Sequence, residues 1–186
     1  NYHSSTDTFS QAPLSADILF GRHFNDIGAR LAFTNSLNKM DAKHKNNFDF
    51  KLGIELFNGD NFPANSGEGS VSAFTHLKFQ YQNFQTMSKF WVMYSEADQR
   101  KDLRYSQGHS HGVTINNNAE SYFTGDTLST GVYLNTTWIY GLWRWHNEFE
   151  WMQAQIDGQV FTTTQSALMD SVQNSYRFTT SLERKK

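Results

Sequence analysis

Cysteine is absent from the 186 residues, which excludes disulfide scaffolds, thiolate zinc centres and cysteine nucleophiles. Proline is nearly absent, with 2 residues, so few positions are barred from a hydrogen-bonded strand ladder. No run approaches the roughly 18 apolar residues of a membrane-crossing helix. The longest apolar stretches are fragments such as Phe90-Trp91-Val92-Met93-Tyr94. A helical span is excluded, while a spanning β-barrel, built from alternating strands, leaves no such run. An excess of positive charge is also missing: 16 Lys and Arg stand against 18 Asp and Glu, for a net charge of -2. The basic footprint of a nucleic-acid binder is therefore lacking, and no nucleic-acid partner is expected.

Aromatic side chains are abundant, at 16% of residues against 18% charged. Disordered chains lack such aromatics, and ordinary soluble enzymes carry about 25% charge. Their arrangement is period-two. From Phe48 one side reads Phe48, Phe50, Leu52, Ile54 and Leu56, and the other Asp49, Lys51, Gly53 and Glu55. From Val71 the split is Val71, Ala73, Thr75, Leu77, Phe79 and Tyr81 against Ser72, Phe74, His76, Lys78, Gln80 and Gln82. From Trp143 it is Trp143, Trp145, Asn147, Phe149 and Trp151 against Arg144, His146, Glu148 and Glu150. A helix would scatter these groups around its cylinder.

Shorter strands are expected at 14–22, 29–36, 88–96, 112–116, 131–137, 159–164 and 175–182, giving about eight to ten in all. Asp157-Gly158 predicts a hairpin turn, because Asp-Gly tolerates the positive φ of a type I′ turn. Only Leu37–His44 and Ser166–Gln173 present helical candidates, each about two turns long. The fold class is all-β and antiparallel. The expectation is a transmembrane β-barrel of about 8–12 strands, with a soluble β-sandwich or jelly roll as the alternative. The crowding of Phe, Trp and Tyr on the apolar sides favours the barrel, because a soluble core of this size mixes small and large residues. One β domain over residues 1–186 is expected, or a segment of a longer barrel.

The polar sides carry Lys51, Glu55, His76, Lys78, Arg144, His146, Glu148 and Glu150, a mixture of signs suited to a barrel lumen. Glu148 and Glu150 share a side at a separation of roughly 6.5–7 Å, which overlaps that of glycosidase carboxylate pairs. Their catalytic use is the alternative to a charge ladder paired with Arg144, Lys51 or Lys78, since Trp143, Trp145 and Trp151 fall on the opposite side. His109 and His111 are read as a polar loop rather than a metal site, and Asp98–Arg104 as a solvated turn. Asn58–Gly69 lacks the order of a calcium loop, so no metal and no cofactor are expected.

With no Cys, few Pro, abundant Asn and Thr, and blocks such as Gly141–Gln153 with aromatics near strand ends, the chain resembles bacterial outer-membrane β-barrel proteins as a class. The resemblance implies an outer-membrane location, contact with outer-membrane lipid, and a non-enzymatic pore-forming or surface-structural role involving small solutes or glycans. The alternative is a secreted β-sandwich that binds or cleaves carbohydrate.

Overall fold

The computed structural model describes residues 27–41, 44–59, 64, 69–101, 122–162 and 164–184. They form seven strands: β1 (Gly28–Asp41), β2 (His44–Phe57), β3 (Ser70–Tyr81), β4 (Phe84–Lys101), β5 (Tyr122–Tyr140), β6 (Trp143–Phe161) and β7 (Ser166–Arg184). Each pairs antiparallel with the next in chain order, making one up-and-down sheet without a crossover. No helix occurs among the described residues. No second sheet packs on this one, so the described strands do not make a sandwich or jelly roll. Nor is the sheet closed: its order ends at β1 and β7.

Two tight connections set one end of the sheet. Gln82-Asn83 joins β3 to β4 with Gln82 at φ 48°, and Gly141-Leu142 joins β5 to β6 with Gly141 at φ 58°. Two-residue hairpin loops need positive φ, which glycine adopts at little cost. The other end carries the longer connections, 58–69, 102–121 and 162–165.

Several sequence expectations are corrected. Leu37 belongs to β1 rather than to a helix over 37–44, and Ser166–Gln173 is the first part of β7, held by continuous pairing with β6. Asp157-Gly158 is not a hairpin but the interior of β6, where Gly158 lies opposite Gly125 of β5. A Cβ at either glycine would overlap the facing backbone, so the pair permits close approach of two strands rather than reversal of one. The β6 to β7 turn comes later, where Thr162 N–H donates to the Gln165 carbonyl at 2.7 Å. The strands expected at 14–22 and 112–116 lie outside the described residues.

Candidate functional site: a charged row on the inner face

Period-two strands in continuous register give the sheet two distinct faces. The face carrying Glu150 is called inner here, and the face carrying Trp151 outer. All eight predicted polar residues, Lys51, Glu55, His76, Lys78, Arg144, His146, Glu148 and Glu150, fall on the inner face. Lys51, His76 and Glu150 stand in one lateral row with Lys89, Tyr133 and Arg177, each opposite the next across adjacent strands. The sequence reading missed Lys89, Tyr133 and Arg177. Their positions emerge only from the register between strands that are distant in sequence.

The centre of the row is an ion-pair network. Arg177 Nη2 donates to Glu150 Oε1 at 2.6 Å and lies 3.5 Å from Glu148 Oε2. Glu150 is 1% exposed. Its partner is Arg177 rather than the expected Arg144, Lys51 or Lys78. Tyr133 donates its hydroxyl to Glu148 at 3.2 Å, and Asn135 donates to the Tyr133 hydroxyl at 3.1 Å. His146 completes the network, with Nε2 3.4 Å from Glu148 and Nδ1 3.0 Å from the Thr137 hydroxyl. Lys89, 4% exposed, holds its ammonium 5.6 Å from the Tyr133 ring centroid.

A second network lies on β1–β3. Arg30 forms an ion pair with Glu55, and Ser72 donates to Glu55 at 2.6 Å. The Arg30 guanidinium also sits 4.9 Å from the Phe74 ring centroid. Lys78 is opposite Asp49 in the register.

These carboxylates are built to be paired. Glu150 is shut off from solvent and clamped by a guanidinium, so it offers no approach to a polysaccharide. Trp143, Trp145 and Trp151 lie on the outer face, where they cannot flank it. A shallow depression of about 690 Å³ is lined by apolar groups including Leu52, Ile54, Phe74, Val92 and Trp151, and its walls carry no titratable side chain. Among the described residues no group of three or more His, Asp and Glu is placed to hold a metal ion. His109 and His111 lie outside the described residues, as does most of 58–69. Asp98 sits at a β-bulge in β4, where the register shifts between Ala97 and Arg100, and it accepts a hydrogen bond from Thr124 at 3.3 Å.

The outer face is the reverse in character. Phe33 is 61% exposed, Trp145 52%, Phe178 65% and Tyr140 85%. At the tight-turn end the aromatics gather, with Phe79 and Tyr81 stacked and Phe84 packed 4.4 Å from Trp138. On β4 the outer-face residues climb from Phe84 to Tyr94 before Glu96 interrupts them. In the row of Glu96, Asp126, Asp157 and Asp170 follow on the next three strands.

Beyond Trp151 the two faces exchange character along β6. On the tight-turn side of this point the outer face reads Trp143, Trp145, Asn147, Phe149 and Trp151, and the inner face Arg144, His146, Glu148 and Glu150. Past it the outer face reads Gln153, Gln155, Asp157 and Gln159, and the inner face Met152, Ala154, Ile156 and Val160. Those inner residues join Met93, Ala97, Phe123 and Met169 in one buried apolar cluster. This exchange is present in the sequence, but the expected turn at Asp157-Gly158 hid it.

In comparisons with known proteins, no family model, no curated protein and no solved structure matches the chain.

Proposed function

We propose that the chain is the wall of a membrane-spanning β-barrel of the bacterial outer-membrane type. Its outer face meets lipid and its inner face the barrel interior, and its role is non-enzymatic. The observation that carries this reading is the exchange of faces along β6. A strand that puts aromatics outward and paired charges inward over one half, then polar groups outward and an apolar cluster inward over the other, suits two solvents in succession. The first half suits hydrocarbon and the second water.

The dimensions support it. On β4 the outer face from Phe84 to Tyr94, where Phe84, Phe90, Val92 and Tyr94 are apolar and Thr86 and Ser88 are small hydroxyl residues, spans ten steps. At ~3.3 Å per residue and the ~40° tilt of barrel strands, such a span climbs about 25 Å, the height of the apolar band of outer-membrane barrels. The band also steps sideways. Its lower rim lies at Phe48 on β2, two residues lower at Tyr81 and Phe84, and two lower again at Tyr140 and Trp143. At that tilt and ~4.8 Å between strands, a plane across a barrel meets successive strands about one residue apart, which is the slope seen from β2 to β6.

The aromatic rim at the tight turns suits the periplasmic side, and the longer connections the outside, following the usual asymmetry of these barrels. The partner of the outer face is then outer-membrane lipid, and the bacterial outer membrane is the location. Inside, Arg177 pairs with both Glu148 and Glu150, so neither carboxylate is left without a cation in a membrane interior.

Flotation tests the proposal. Chain refolded from urea with detergent-solubilised lipid is expected to float with liposomes in a density gradient and to resist alkaline carbonate extraction. Chain that is monodisperse in buffer without detergent and stays at the bottom of the gradient overturns it.

A further inference from the structure

We propose, resting on the membrane reading above, that a layer of interlocking side chains seals the barrel interior against ions and solutes. Its large members are Phe57, Met93 and Met152, and the barrel is then a closed wall rather than a pore.

The lower rim, at Phe48, Tyr81, Phe84, Tyr140 and Trp143, sets the height of each strand from β2 to β6. Nine residues above it, toward the longer connections, the inner face carries Phe57 on β2, Ser72 on β3, Met93 on β4, Gly131 on β5 and Met152 on β6. Large and small residues alternate strand by strand. Small barrels fill their interiors in this way, because a large side chain takes the room that a small neighbour leaves. Met152 is 1% exposed and Met93 5%, and both belong to the buried apolar cluster against which Trp91 packs.

The charges stop just below this layer. Glu55 and Glu150 each lie seven residues above the rim, opposite Arg30 and Arg177 in the register. From nine residues upward, the described inner-face residues of β2 to β6 include one ionisable side chain, Arg100, whose guanidinium sits 4.8 Å from the Phe123 ring centroid. Two residues above the layer, Ser70, Ser95, Ser129 and Ala154 are all small, and the three serine hydroxyls are buried without a hydrogen-bond partner. Three neutral hydroxyls do not replace the hydration shell of an ion, for which conducting filters use rings of carbonyls or charged groups. An ion leaving the charged level would shed its water against methionine and phenylalanine, and apolar constrictions close to ions by dewetting.

Planar bilayers fused with liposomes that carry the full-length chain measure the seal. The wild type is expected to add no conductance to the bare bilayer. The triple variant Phe57→Ala, Met93→Ala, Met152→Ala is expected to add ion conductance, after circular dichroism and flotation have verified that it is folded and inserted. A second reading avoids truncating the layer: the chain has no cysteine, so Met152→Cys reports alone. With a water-soluble maleimide on both sides of the liposome bilayer, Met152→Cys should stay unmodified in the time that fully labels Gln82→Cys in the β3 to β4 turn.

Conductance by the wild type overturns the proposal, as does a folded and inserted triple variant that adds none. Labelling of Met152→Cys as fast as Gln82→Cys also overturns it. Flotation of the same samples separates the two readings. Inserted chain that conducts refutes the seal alone, and chain that does not float refutes the membrane reading.

Discussion

The indole of Trp91 on β4 covers the backbone of Gly131, its register partner on β5, so closely that a Cβ added at Gly131 would overlap the ring. Phe74 covers Gly53 of β2 in the same way, and the four residues share one inner-face row. Glycine here makes room for a flat aromatic on the neighbouring strand, which shields backbone that no side chain of its own protects.

Gly131→Val should therefore destabilise the fold by about 2 kcal/mol through overpacking. Urea titration in detergent, read by tryptophan fluorescence, checks it. Combining it with Trp91→Ala should cost less than the two singles added together, because the second change removes the group that the first one strikes. Additive costs would mean that the ring and the glycine are not in contact.

Arg177 and Glu150 respond asymmetrically to loss of the partner. Arg177→Met leaves a carboxylate that is 1% exposed without its cation, and about 3 kcal/mol of destabilisation is expected. Glu150→Gln leaves an arginine whose side chain is 37% exposed and which keeps Glu148 at 3.5 Å, so roughly 1 kcal/mol is expected. The urea midpoints of the two variants rank them, and equal or reversed costs would contradict the network.

Lysine scanning of the outer face should follow depth rather than exposure. Val132 lies mid-band, level with Phe90 and Trp151, whereas Leu128 lies in the last apolar row beside Tyr94. Val132→Lys should cost about 2–4 kcal/mol in liposomes and Leu128→Lys about 0–1, the gradient a bilayer imposes on lipid-facing lysine. Asp157→Lys, one row beyond Leu128, should have no measurable effect on insertion. The inner-face change Lys51→Gln should be mild. Equal costs at Val132 and Leu128 would argue for a homogeneous surrounding medium.

Much of the sheet was legible in the residues, because alternation in β2, β3 and the first half of β6 is a local signal. The segment Ser166–Gln173 misled: Leu168, Met169 and Val172 fit a helical face as well as a strand, and what decides is pairing with β6, which local spacing does not encode. Asp157-Gly158 misled for a related reason, since its glycine answers to Gly125 across the sheet rather than to a turn. The alternation within β2, β3 and β6 marks the polar side of each strand, and the register joins those sides into one face. The partner of Glu150 is not marked in that way, because Arg177 is 27 residues away and only the register aligns them. No spacing rule singles out that arginine from the others in the chain.

The central claim is that Trp151 and Trp145 face lipid at different depths while Trp91 faces the interior. Single-tryptophan variants, each keeping one of these three and carrying Phe at the other four tryptophan positions, measure it directly in liposomes of lipids brominated at shallow or deep acyl carbons. Trp145, in the rim row with Phe84 and Trp138, should be quenched most by shallow bromines. Trp151, six residues further along β6, should be quenched most by deep ones. Trp91, on the inner face, should be quenched by neither. Equal quenching of all three, or quenching of Trp91 above Trp151, would contradict the assignment of the faces and with it the account.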